Sequence, residues 1–334
     1  MKLVLLGLGQ VGLSLLEILQ QKRFNPGNTK FELKAVADTT GVAEIKSGTS
    51  IAEILAAKKS GGIQSLAGWL PGRGVKEAVT EIDADVLVDC TTTNFKDGQP
   101  SLGCFNEAIA KGMDIVTANK GPLAINMKNI IEAASRRGTT VRFGATVGGG
   151  TPFIDFGRIC ASTYEIVEMR GILNGTTNYI LTRMDEGVSM ESALEEARSS
   201  GLAETDPSND LRGMDSAAKI VILANALCGC SYSISDAAIK GMDAMEPALQ
   251  AAAKSQGRSM KLISTYRRED GLVAVAPEIV SLSDHVNVSG AYNALTYRTA
   301  DGNEYTLIGT GAGATETARA VLRDLLSLPH PVGE

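Results

Sequence analysis

Histidine is nearly absent from this sequence: His285 and His330 are the only two among 334 residues. His285 falls in a polar turn and His330 in a Pro-His-Pro tail, settings that suit a surface and a mobile terminus better than catalysis. Proton chemistry, if the chain performs any, therefore falls to Lys, Asp or Glu. Cysteine is sparse too. Cys90, Cys104, Cys160, Cys228 and Cys230 are scattered and odd in number, and no two stand as Cys-x-x-Cys. That argues against a zinc site or a disulfide framework and leaves reduced, mostly buried thiols. No apolar run approaches the roughly 18 residues that cross a bilayer. The N-terminal run is broken by Gly and Gln and lacks a cleavable-signal layout, so the cytoplasm is the expected location. There is no basic block and the net charge is −6. Nucleic acid and membrane surfaces are thus not expected partners. What is present, 44% hydrophobic and 21% charged residues, suits one large or two medium soluble domains.

The chain begins with a short apolar run, KLVLL, followed by Gly7-Leu8-Gly9-Gln10-Val11-Gly12 and a helical pattern to about Lys22. Strand, G-x-G-x-x-G and helix together form the context that a dinucleotide fingerprint requires. Gly7 permits the tight turn, Gly9 lets backbone approach a pyrophosphate, and Gly12 lets helix and strand pack closely. Phe31–Ala37 reads as a second strand ending at Asp38. An acid there is either a ribose ligand favouring NAD or a simple turn residue before Thr39-Thr40-Gly41. Lys46, Lys58 and Lys59 leave room for a 2′-phosphate, so both NAD and NADP stay open.

Ile51–Lys59 reads as a helix, and Gly61–Gly74 as a glycine-rich loop carrying the single Trp69. Ala84–Cys90 is a continuous apolar run, as in a parallel strand buried on both faces. It ends at Thr91-Thr92-Thr93-Asn94, where the crevice above a doubly wound sheet belongs. A helix over 101–111 and a strand over 114–116 lead to Thr117-Ala118-Asn119-Lys120. Lys120, just past a strand end, is either a surface lysine or one aimed into the same crevice. A helix to Arg137 and a strand over 140–143 complete about 145 residues of alternating strand and helix, the mark of a parallel α/β sheet.

Gly144-Ala145-Thr146-Val147-Gly148-Gly149-Gly150-Thr151-Pro152 reads as a glycine hinge, either a linker or a set of carbonyls for a hard monovalent cation. A mixed α+β layer follows. It has helices expected over 152–161, 189–200, 213–229 and 247–256, and strands near 164–173, 259–267, 272–276 and 294–299. Asn174-Gly175-Thr176-Thr177-Asn178 reads as a polar turn that caps the next helix. A final strand over 304–308, the glycine run 309–313 and a helix over 314–327 suggest a return to the first domain. The expected division is therefore a Rossmann-type doubly wound sheet over 1–145 and 304–334, with a second, mixed α+β domain over 146–303.

The stretch 201–219, GLAETDPSNDLRGMDSAAK, concentrates the most chemistry. Glu204, Asp206, Asp210 and Asp215 precede Lys219, which opens the apolar run IVILANALCG. Asp215 and Lys219, four apart, share one helix face. That spacing fits an ordinary ion pair on a capped surface helix as well as a site that holds an ammonium and moves a proton.

With these residues placed, the sequence resembles the homoserine dehydrogenases over nearly its whole length, in the short form without a fused kinase or C-terminal regulatory domain. GILNGTTNYIL (171–181) and GLAETDPSNDLRGMDSAAK (201–219) carry the resemblance, supported by GATVGGGTP (144–152), TANK (117–120) and GTGAGA (309–314). The resemblance implies NAD- or NADP-dependent interconversion of L-homoserine and L-aspartate 4-semialdehyde, on the route to threonine and methionine. It implies that Lys219 transfers the proton, that Gly201, Glu204, Asp215 and Thr176 bind substrate, and that Lys120 lies between cofactor and substrate. It places cofactor contacts at Thr91 and Gly313, beside the fingerprint Gly7–Gly12, Asp38 and Thr92. It further implies a monovalent cation such as Na+ on Gly144, Val147, Gly149 and Thr151, although many members carry Glu where Gly144 stands. The resemblance also implies that the domain over 146–303 is the substrate-binding and dimerisation domain, and that the protein is a homodimer. Two other readings remain. An aspartate-semialdehyde dehydrogenase would need a Cys–His pair, and neither Cys160 nor Cys228 has a His near it in sequence. A non-catalytic NAD-binding regulator would not need the Asp215/Lys219 pair.

Overall fold

The computed structural model describes residues 1–21, 29–204, 206–245, 253 and 255–329. The helix expected over 247–256 lies largely outside them, as do Lys22 and His330. The strands are β1 (Lys2–Leu6), β2 (Glu32–Asp38), β3 (Gly41–Glu44), β4 (Trp69–Leu70), β5 (Val86–Asp89), β6 (Asp114–Thr117), β7 (Val141–Arg142), β8 (Ile166–Ile172), β9 (Ala238–Ile239), β10 (Arg258–Arg267), β11 (Leu272–Ser281), β12 (Tyr292–Thr299) and β13 (Glu304–Thr310). The helices are α1 (Gln10–Gln21), α2 (Ile51–Lys59), α3 (Val75–Glu81), α4 (Ser101–Ala110), α5 (Gly121–Arg137), α6 (Phe153–Ala161), α7 (Gly175–Asp185), α8 (Met190–Ser199), α9 (Ser208–Leu211), α10 (Met214–Cys228) and α11 (Ala314–Leu326).

Two compact units result, one of Met1–Thr146 with Ala314–Glu334 and one of Val147–Gly313. The first is built on a seven-stranded sheet in the order β4-β3-β2-β1-β5-β6-β7 among the described residues. The run from β2 to β7 is parallel. Strand order reverses between β1 and β5, and in such sheets the ligand crevice opens beyond the carboxyl ends at that switch point. Its strands are apolar because helices cover both faces: Leu5, Val36, Val88 and Val116 are fully buried or nearly so. Local signals set the helix ends. Ser50 and Glu53 form a reciprocal capping box at α2, and α5 stops at Gly138, whose φ of +69° permits the left-handed C-cap. The short strands β3 and β4, paired antiparallel, carry too few residues to show a period, and β4 lies within the expected glycine-rich loop Gly61–Gly74. There, Gly41 (φ +138°) lies beneath the ring of Trp69.

The second unit carries, among the described residues, a six-stranded sheet ordered β13-β12-β8-β10-β11-β9, with α7 and α10 packed on β10. Here one expectation needs correction. Residues 304–310 do not return to the first unit: β13 pairs antiparallel with β12 from Arg298↔Glu304 to Tyr292↔Thr310. Asp301-Gly302, with Gly302 at φ +86°, turns that hairpin. The return begins at Ala314, because α11 carries the apolar face. Its Ala318, Val321, Leu322 and Leu325 join the core of the first unit with Leu15, Leu16 and Ile18 of α1. Burying each large aliphatic side chain stabilises by roughly 1.5–3 kcal/mol, whereas no position of β13 is buried.

Candidate active site

In the first unit, the fingerprint loop is shaped by close approach. Gly7 has φ +91°, and a Cβ there would lie 2.4 Å from the Cys90 carbonyl oxygen; one on Gly12 would lie 2.0 Å from that of Gly7. Gly9, by contrast, is exposed and faces open space, and Gln10 starts α1. A helix N-terminus with bare backbone beside it suits a pyrophosphate. Asp38 ends β2 and is already engaged: Thr40 donates its N–H at 2.8 Å and its hydroxyl at 2.5 Å, and Lys58 adds an ion pair. Burial pushes its carboxyl up, but the bonds from Lys58 and Thr40 outweigh burial and hold it below the usual carboxylate range. Lys46 pairs instead with Glu44.

At the far ends of β5 and β6, Thr91, Thr92, Asn119 and Lys120 come together. The Asn119 amide nitrogen donates to Thr91 Oγ1 at 2.9 Å and to the Thr92 carbonyl at 3.3 Å. Lys120 is the half-buried N-cap of α5.

In the second unit, Lys219 sits on α10, which starts after Gly213 (φ +78°) and stops at Gly229 (φ +66°). The lysine is 7% exposed. Its ammonium donates to the Leu173 carbonyl at 2.7 Å and lies 2.6 Å from Asp215 Oδ2. This is not a pair on a solvated helix face, because Ser216–Ala224 are all buried. A charge taken out of water at that depth requires partners, and Asp215 and the end of β8 supply them. Asn174 completes the arrangement. It caps α7 by accepting the Thr177 N–H at 2.9 Å, and its amide nitrogen donates to Asp210 Oδ1 at 2.7 Å and Asp215 Oδ2 at 2.9 Å. Asp210 is therefore part of the carboxylate cluster and not merely loop-shaping, whereas Asp206 does shape the loop by accepting from Ser208. Sequence reasoning recognised the Asn174 cap and missed its bridge. Thr176 spends its hydroxyl on the Leu202 carbonyl at 3.1 Å, tying α7 to the segment that presents Gly201 (φ +74°) and the exposed Glu204.

The glycine-rich loops divide between the units. Gly144, in the first, has the Asp324 carboxylate in the space a side chain would take: a Cβ would lie 2.8 Å from Asp324 Oδ1. A carboxylate thus stands beside position 144 although residue 144 carries none. Val147, Gly149 and Thr151 belong to the second unit. Thr151 donates its hydroxyl to the Thr310 carbonyl at 3.0 Å, and Gly149 (φ +55°) lies against Gly311. The buried Asn293 carboxamide fills the side-chain space at Gly311, so that position admits only glycine. Gly313 (φ +134°) closes the loop. Among the described residues no three His, Cys, Asp or Glu side chains are placed to hold a metal ion. The oxygens on offer in 147–151 are neutral carbonyls, a donor set that suits a hard cation of low charge.

Cys104, Cys160 and Cys228 are unsuited to nucleophilic work. Burial pushes Cys104 up to about 12 and Cys228 up to about 11, and it raises Cys160 as well.

A family model described as homoserine dehydrogenase matches residues 152–326, and one described as homoserine dehydrogenase, NAD binding domain, matches residues 7–144. The chain belongs to the homoserine dehydrogenase family. A homoserine dehydrogenase of Methanocaldococcus jannaschii is 37% identical over 98% of both chains. A solved putative homoserine dehydrogenase of Archaeoglobus fulgidus aligns with a TM-score of 0.86 at 32% identity, over 98% of both chains. A hyperthermophilic archaeal homoserine dehydrogenase in complex with NADPH aligns at 0.85 with 26% identity, over 98% of this chain and 97% of that one. The activity is accordingly that of an NAD(P)-dependent oxidoreductase interconverting L-homoserine and L-aspartate 4-semialdehyde. A semialdehyde dehydrogenase working through a cysteine thiolate is the wrong reading for this chain, as the raised thiols independently indicate.

Proposed function

We propose that Lys219 is the proton-transfer residue of this reaction and that Glu204 and Asp215 bind the amino-acid substrate. The observation that carries the proposal is the buried Lys219 ammonium held by Asp215 and the Leu173 carbonyl. An ammonium has three N–H groups. Two are directed at those acceptors, which leaves a third for a substrate oxygen. In the reducing direction that proton goes to the aldehyde oxygen as it gains charge; in the oxidising direction the substrate hydroxyl returns it. The nicotinamide, when bound, supplies or accepts the hydride. Asp215 keeps the ammonium fixed, and Asn174 holds Asp215 against Asp210. The carboxylate of Glu204 suits the substrate ammonium through a charge-assisted bond. Gly201 and Thr176 shape that segment, and Lys120 stabilises developing negative charge on the reacting oxygen.

Gly7, Gly9, Gln10, Val11 and Gly12, with Asp38, Thr91, Thr92 and Gly313, are the proposed cofactor contacts. Carbonyls of Val147, Gly149 and Thr151 would hold a monovalent cation whose part is to stiffen the glycine loop; Gly144 would contribute only its own carbonyl. We further infer a homodimer, supported by the exposed Ile279 on β11, Leu282 just beyond it, Tyr292 on β12 and Ile308 on β13. The cytoplasm is the proposed location; among the described residues no helix is long and apolar enough to cross a membrane.

The test is Lys219→Ala. Turnover with L-homoserine, read at the reduced-nicotinamide band, should fall at least about 100-fold, the scale of a lost proton-transfer group. The dissociation constant for NADPH, read by fluorescence, should stay unchanged. Near-normal turnover removes Lys219 from the chemistry.

A further inference from the structure

Behind Thr91, in the first unit, a buried polar network ends on an acid to which no role has been assigned so far. Asp89, the last residue of β5, is 0% exposed. Its Oδ1 accepts the Thr91 N–H at 3.0 Å and the Thr91 hydroxyl at 2.6 Å. The Thr91 hydroxyl proton is thereby spent, so Thr91 Oγ1 can only accept from its other neighbours. Ser101, on α4, must then donate to it at 2.8 Å, and the Asn119 amide nitrogen donates at 2.9 Å. That same nitrogen donates to Ser101 Oγ at 3.0 Å. With its nitrogen turned this way, Asn119 presents Oδ1 to the Gly121 N–H at 2.9 Å. Its own N–H is held by Thr117 Oγ1 at 2.9 Å. Protons are thus ordered in one direction, from Asn119 through Ser101 and Thr91 to the carboxylate oxygen of Asp89.

Lys120 stands between the two residues this order fixes. Asn119 is 2% exposed, and Gly121 is pressed so close to the Asn94 carbonyl that a Cβ would lie 2.5 Å from its oxygen. Lys120 takes the N-cap place of α5, its carbonyl accepting the Ala124 N–H at 2.8 Å. We propose that Asp89 is a positioning residue for the reaction: as the terminal acceptor it orients Asn119, and Asn119 in turn fixes the backbone that aims Lys120. The inference rests on the reading of Lys120 as a charge-stabilising group. Burial pushes the Asp89 carboxyl up against the pull of its bonds from Thr91 and Thr117, as expected of an acid kept in the interior for its geometry. The neighbouring titratable groups are the thiols of Cys90 and Cys104, which the charge of Asp89 helps to raise.

A double-mutant cycle in the full chain tests this. Asp89→Ala removes the acceptor and should lower kcat about 10- to 100-fold, the factor carried by hydrogen bonds to a charged group. The KM for nucleotide should change less than about threefold. Asp89→Asn, which keeps an oxygen facing Thr91, should recover most of the loss. In a Lys120→Ala background the same Asp89→Ala change should cost less than about threefold, because the residue it aims is gone. Equal costs in both backgrounds mean a structural role only and overturn the inference. Full turnover in Lys120→Ala alone overturns the reading of that lysine and the inference with it. If Asp89→Ala does not fold, Ser101→Ala serves in the same cycle, with an expected kcat loss of roughly three- to tenfold. Additive Ser101 costs would again overturn the inference.

Discussion

Asn174→Asp separates two jobs that one side chain performs. The carboxylate keeps the oxygen that caps α7 through the Thr177 N–H, and a negative charge at a helix N-terminus is favourable by roughly 0.3–1 kcal/mol. The amide nitrogen that now donates to Asp210 at 2.7 Å and Asp215 at 2.9 Å becomes an oxygen facing two carboxylates. Two hydrogen bonds to charged groups are lost, at about 1.5–3 kcal/mol each, and a third negative charge enters a buried cluster. The penalty has a ceiling, however. One carboxyl can take up a proton, and holding it at pH 7 on a group of ordinary pKa near 4 costs about 4 kcal/mol. That proton restores only one of the two bonds, so net destabilisation at pH 7 should be about 5–7 kcal/mol.

The pH dependence is the diagnostic part. In the variant, one carboxyl has a folded pKa raised above its unfolded value. Its stabilising contribution is then complete below the unfolded pKa and is lost as pH rises through the folded one. The gap in stability from the wild-type protein should shrink by about 1.4 kcal/mol per unit as pH falls from 7 to 5. Chemical denaturation of both proteins at pH 5, 6, 7 and 8 measures it, with the homoserine KM expected to worsen towards high pH. Asn174→Ser keeps a cap, lacks the amide nitrogen that reaches Asp210 and Asp215 and adds no charge, so its offset should be flat with pH. A flat offset for Asn174→Asp as well would mean that the bridge to Asp210 and Asp215 does not exist in solution.

Three further changes probe separate parts of the molecule. Glu204→Leu should raise the homoserine KM at least about tenfold with nucleotide affinity intact, the scale of one charge-assisted contact; an unchanged KM takes Glu204 out of the substrate site. Lys58→Ala leaves the Asp38 carboxylate without its cation, so NADP should lose affinity roughly tenfold more than NAD; equal losses in the two dissociation constants would refute a part for Lys58 at the 2′-phosphate. Lys261 is 1% exposed, donates to the Val288 carbonyl at 2.7 Å and to Asn178 Oδ1 at 3.0 Å, and burial lowers it to about 8. Its folded pKa lies below its unfolded one, so the native state binds fewer protons between pH 8 and 10.5 and gains stability as pH rises. Relative to Lys261→Met, the wild-type protein should gain about 3 kcal/mol across that window, and parallel stability curves would contradict the assignment.

How much of the site was legible depends on how far apart its members lie along the chain. The fingerprint was readable because Gly7 and Gly12 answer to local sterics, with each Cβ forbidden by backbone a few residues or one strand away. Asp215 and Lys219 were readable because four residues make a helix neighbour. Asn174 was readable as a cap, a contact three residues away, but not as a bridge to Asp210 and Asp215, which lie 36 and 41 residues distant. Those contacts exist because β8 ends at Ile172 next to the start of α10, a matter of sheet order that apolar periodicity does not encode. The Asp89 network has the same origin. Register pairs Asp89 with Thr117 across β5 and β6, so the residues just after two apolar runs are brought side by side. Parallel strands always deliver their carboxyl ends together. Polar residues that follow successive apolar runs, such as Thr91 and Asn119, can therefore be treated as neighbours before any coordinates exist. Which of them donates and which accepts is decided only where one group fixes the chain, here the Asp89 oxygen that accepts both the N–H and the hydroxyl of Thr91.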